Sequence, residues 1–173
     1  FRAALKAAAI LVFSLPATAQ QQPVLDVSIV YLRHEVELPP TLSNLDPVPE
    51  DLGLAGAGVA LKDNLTTGAF LGHNYRMSII SVPPGGDLTG EARAALADAG
   101  LVLVDGAASD VLAIVDLPEA EGKVLFNVSS GEERLRSADC RKNLFHTIPE
   151  DAARTDALMQ VLLSKQWTEL ALI

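Results

Sequence analysis

Five short apolar runs, each separated from the next by stretches of helical character, constrain this chain more than any single motif. They are "VLDVSIVYL" (24–32), "YRMSIISVP" (75–83), "LVLVDG" (101–106), "KVLFNVSS" (123–130) and "TELALI" (168–173). Each has the length and β-branched content of a strand, and each is apolar as a run rather than in alternation. Strands of that kind need cover on both faces. The expected fold class is therefore α/β, a doubly wound parallel sheet with right-handed crossovers. The intervening segments predict helices over 49–68, 88–100, 109–118 and 148–167. Pro49, Glu50 and Asp51 suit a first turn, and Gly68 and Gly100 suit helix ends. Thr147 followed by Glu150 fits a capping box for the last helix. Gly53, Gly56 and Gly58 crowd small residues into the first helix, which predicts close packing against the sheet.

The 173 residues suffice for one domain, and 49% hydrophobic content with mean hydropathy +0.27 supports a packed core. Aromatics are only 5%, so that core is aliphatic. A net charge of −9 and a pI near 4.7 exclude nucleic acid as a partner, because phosphate binding needs a basic face. The same balance disfavours an anionic membrane surface.

The first nineteen residues address the chain to export. Arg2 and Lys6 precede the apolar run "AAAILVFSLP", and Ala17 and Ala19 form an A-x-A site ahead of Gln20. That is the pattern of a cleaved signal peptide, too short in its apolar part for the about 20 residues of a membrane span. The expected localisation is the periplasm, and the mature chain is expected to be soluble. A first residue other than Met and a last residue inside an apolar run read as a fragment. Cys140 stands alone and reads either as a buried free thiol, the preferred reading, or as the partner of a residue outside this stretch of sequence.

In open parallel sheets, ligands bind beyond the carboxyl ends of the strands, where strand order reverses. This selects the segments 33–48, 105–110 and 127–132. The first holds Arg33, His34, Glu35 and Glu37, followed by Pro39, Pro40, Pro47 and Pro49, which would stiffen a long loop. One histidine beside carboxylates is compatible with metal binding, with acid–base work or with contact to a ligand. No G-x-S-x-G elbow accompanies it. "GLAGAG" (53–58) has its glycines in the wrong order, and too far past the strand, for a dinucleotide turn. Ala108, Ser109, Ser129 and Ser130 place small and hydroxylated residues after the third and fourth strands, where backbone amides and hydroxyls face a small polar ligand. Asp110 is expected to cap the third helix. His73 and His146 read as structural, and the sequon-like "NLT" (64–66) and "NVS" (127–129) as chance matches. No catalytic residue, metal or cofactor is expected.

The order of these features resembles the first lobe of a type I periplasmic binding protein, of the Leu/Ile/Val-binding class of ABC transporter substrate-binding proteins. The resemblance covers residues 24–173, with "NLFHTIPEDAARTDALMQVLLSKQWTELALI" as the passage into a second lobe. "YLRHEVELPPTLSNLDPVPEDLGLAGA", "DNLTTGAFLG", "VPPGGD" and "RLRSADCRKNLFH" resemble a subgroup whose genes accompany pyrroloquinoline-quinone-dependent alcohol oxidation systems. The resemblance implies a lobe over 20–147 and a crossover over 148–173. It also implies capture of a small-molecule solute between two lobes and delivery to an ABC transporter permease. The ligand-contacting residues it implies are Ala108, Ser109, Ser129 and Ser130. Arg33, His34 and Glu35 replace the family's usual Gly- and Ser-rich first loop and join them as rim candidates. That replacement points to a solute other than an ordinary branched-chain amino acid. An alternative within the same fold is a periplasmic sensor or accessory subunit of an alcohol oxidation system.

Overall fold

In the computed structural model, residues 25–37, 48–167 and 169 are described. The signal peptide expected over 1–19 and the prolines Pro39, Pro40 and Pro47 lie outside them, as does the strand expected over 168–173 apart from Glu169. The element order is β1 (Leu25–His34), α1 (Leu54–Leu71), β2 (His73–Val82), α2 (Leu88–Asp98), β3 (Leu101–Asp105), α3 (Ala108–Val115), β4 (Val124–Asn127), β5 (Leu144–His146) and α4 (Asp151–Ser164). The five strands form one parallel sheet in the order β2-β1-β3-β4-β5. Helices flank it, as the apolar runs predict.

The pleat divides the sheet into two faces. Val30 and Leu32 of β1, Val102 and Val104 of β3, Leu125 of β4 and Leu144 of β5 are buried in the core with Ala92 and Leu96 of α2 and Val111 and Ile114 of α3. Burying a side chain of this size stabilises by about 1.5–3 kcal/mol. The opposite face carries Ile29, Met77, Leu103 and Phe126 and is more thinly covered. An apolar groove of about 270 Å³ separates it from Ala57, Ala60 and Leu61 of α1. None of the α4 side chains is buried.

Several local expectations are corrected. The first helix starts at Leu54 rather than at residue 49, because Gly53 adopts φ +83°. A Cβ there would also stand 2.6 Å from the Tyr31 hydroxyl. The small residues do not serve close packing in the way expected, since Gly56 and Gly58 have open space around them. The close approach is at Gly68, which lies inside the helix: a Cβ would meet the His73 carbonyl at 2.9 Å and the Tyr75 ring at 2.9 Å. Gly72, in the left-handed conformation, ends α1 in its place, donating its N–H to the Gly68 carbonyl.

β5 was not expected, as no apolar run marks Leu144–His146. The capping box at Thr147 does not form. Glu150 is the N-cap of α4 with no side-chain cap bond, and the Thr147 amide and hydroxyl instead donate to the Asn127 carbonyl. Cys140 is exposed, not buried, because it lies in the irregular segment before β5. α2 is capped by Asp87, whose Oδ1 accepts the Gly90 amide at 2.9 Å. That hydrogen bond and one from Thr89 hold the Asp87 carboxyl below its ordinary range.

Candidate functional site

Strand order reverses between β1 and β3, so the chain leaves these two neighbours in opposite directions. At their carboxyl ends lies a cavity of about 850 Å³. β1 contributes Arg33 and His34, with Glu35 just beyond it; the end of β3 contributes Asp105, the turn that follows contributes Gly106 and Ala107, and the turn after β4 contributes Val128, Ser129 and Ser130. Val48, Leu52 and Gly53 close one side as the chain returns toward α1.

Arg33 and His34 are adjacent and pair in different directions. Arg33 Nη1 donates to the Glu50 carbonyl at 2.8 Å, and its Nε lies 3.9 Å from Asp105 Oδ2. The same carboxylate oxygen accepts the Tyr31 hydroxyl at 2.8 Å. Burial of the phenol, reinforced by the Asp105 carboxylate, pushes the Tyr31 pKa above its ordinary range, so Tyr31 remains a donor. Arg33 thus ties the segment before α1 to the carboxyl ends of β1 and β3, and Tyr31 with Asp105 forms the floor beneath it.

His34 joins β1 to α3. Its Nδ1 is 2.9 Å from Asp110 Oδ2, which also accepts the Ala107 amide at 3.2 Å. Ala107 is the N-cap of α3, so Asp110 caps the helix by reaching back from its third position rather than as the N-cap residue, and it holds the imidazole as well. His34 Nε2 is sealed from solvent and has no hydrogen-bond partner among the described residues.

The turn after β4 is built around Asn127, which is fully buried. Its Oδ1 accepts the amides of Ser129 at 3.3 Å and Ser130 at 2.9 Å, and its Nδ2 lies 2.6 Å from the Ser130 carbonyl and 3.1 Å from His146 Nδ1. The Ser129 hydroxyl accepts the Gly106 amide at 2.8 Å and donates to the Gly106 carbonyl at 3.0 Å. It clamps the turns after β3 and β4 together. Burial of Asn127 also removes "NVS" as a glycan acceptor. His146 is held below the ordinary imidazole range by burial and by the Arg136 cation. His73, in turn, meets the Tyr75 hydroxyl through Nδ1 at 3.0 Å.

The structure gathers Arg33, His34, Glu35, Ser129 and Ser130 around one cavity. It does not bring Ala108 or Ser109 to that wall: Ala108 is buried in the core, and Ser109 is exposed on α3. Tyr31, Asp105 and Asn127 escaped the sequence reading. Asp105 and Asn127 are each the polar last residue of a strand at the switch point, and that was the available signal. Among the described residues, no group of three or more His, Cys, Asp or Glu side chains is placed to hold a metal, and no helix is long and apolar enough to cross a membrane. In comparison with known proteins, the sequence matches no family model and no curated protein.

Proposed function

We propose that this chain is the exported, non-catalytic solute-binding component of an ABC uptake system. It captures a small polar metabolite between this lobe and a second one, then delivers it to a permease in the membrane. The observation that carries this reading is the cavity of about 850 Å³ at the reversal of strand order. Pockets of about 300–1,000 Å³ that pair apolar walls with a few placed polar groups are characteristic of small-molecule sites. Here Val36, Val48, Leu52 and Val128 supply the apolar wall, while Arg33, Asp105 and Ser130 supply polar groups. The charged first loop favours a solute other than a branched-chain amino acid, and the subgroup resemblance favours a metabolite of alcohol oxidation. Binding would draw the two lobes together by hinge motion.

Isothermal calorimetry of the full-length protein against alcohols, aldehydes, organic acids and branched-chain amino acids tests the proposal. One class should give saturable 1:1 heat, with compaction visible in solution scattering. Absence of heat with all of them, together with turnover of any one, would refute it.

A further inference from the structure

One buried asparagine links His146 to the wall of the cavity. The two backbone amides on Asn127 Oδ1 fix which way its side-chain amide faces. The Asn127 Nδ2 therefore points at His146 Nδ1, 3.1 Å away. An amide nitrogen only donates, so Nδ1 must be the acceptor. The imidazole is then neutral with its proton on Nε2. Protonation of Nδ1 would set one N–H against another. Asn127 could answer by turning its oxygen toward the ring, but Ser129 and Ser130 would then lose their acceptor.

We propose that His146 is a proton-operated catch on the turn that carries Ser129 and Ser130, so that acid loosens this part of the cavity wall. Arg136, from the turn Glu133–Arg136, is the charged group that acts on the ring among the described residues. Asn127, its neighbour on β4, does not titrate. Burial and the Arg136 cation both resist proton uptake, so the catch opens below the ordinary imidazole range. For a solute-binding protein, affinity would fall with acidification. That consequence rests on the proposed function, whereas the catch itself does not.

The experiment needs no solute. Nitrogen-15 NMR of the full chain reads the His146 tautomer and its titration. Hydrogen exchange, corrected for the intrinsic pH dependence, reads the amides of Ser129 and Ser130. The expected result is an Nε2–H tautomer near neutral pH. Protection of these amides should fall about tenfold on protonation, the scale of one lost hydrogen bond. His146→Asn keeps an acceptor near the place of Nδ1 without titrating, and should show no such step. An Nδ1–H tautomer, unchanged protection through the titration, or the same step in His146→Asn would each overturn the proposal. Should that variant fail to fold, the wild-type tautomer and protection decide alone.

Discussion

The Tyr31 hydroxyl donates to Asp105 Oδ2 at 2.8 Å across 74 residues of sequence, fastening the end of β1 to the end of β3 beneath the cavity. Tyr31→Phe leaves that carboxylate short of one donor. The cost at pH 8 should be about 1–2 kcal/mol. Because folding raises the phenol's pKa, the contribution is fully present below the unfolded value of about 10 and is lost as pH rises through the folded one. Urea unfolding of wild type and Tyr31→Phe from pH 8 to 11 should show the gap narrowing above about pH 10. A constant gap would remove the pair from the account.

The glycines of α1 should respond with opposite signs. Gly56→Ala and Gly58→Ala meet open space and should each stabilise by about 0.5–1 kcal/mol. Gly68→Ala forces a Cβ to within 2.9 Å of the His73 carbonyl and should cost about 1–3 kcal/mol. Thermal melts of the three variants check this, and a shared sign would contradict the packing described.

The two faces of the fold should differ in tolerance. Leu32→Ala empties a fully buried site and should cost about 2–5 kcal/mol. Val59→Ala, on the exposed side of α1, should stay within about 0.5 kcal/mol. Denaturant midpoints at constant slope make the comparison.

Arg33→Ala should release the segment around Glu50, whose carbonyl Arg33 holds at 2.8 Å. Limited proteolysis with a glutamate-specific enzyme should then cut after Glu50 several-fold faster than in wild type, with little change in global melting. Unaltered cleavage would mean that other contacts hold this wall.

The alternation of apolar runs was enough to read the parallel sheet, because strands covered on both faces cannot hide their composition. β5 was illegible for the converse reason. It is three residues long, follows Arg141 and Lys142, and exists only because β4 offers it an edge. The start of α1 was misplaced because nothing local shows that Gly53 must clear the Tyr31 hydroxyl, a constraint imposed by the fold. At the site, the switch-point rule located the loops, and Arg33, His34 and Ser130 came with them. It could not assign roles within those loops. Ser129 looks like a ligand-facing hydroxyl in sequence, yet it clamps Gly106, and such a pairing depends on the register between β3 and β4.

β1 and β2 pair along all ten of their residues, from Leu25 with His73 to His34 with Val82, whereas β3 joins β1 only from Ile29 onward. The stretch Leu25–Ser28 therefore leans on a single neighbour, at the end of the sheet remote from the cavity. Thermal fraying has a preferred place to begin, and that place lies at the other end of β1 from Arg33. The molecule is thus graded along its strands. A singly paired end absorbs fluctuation, set apart from the end that bears the cavity.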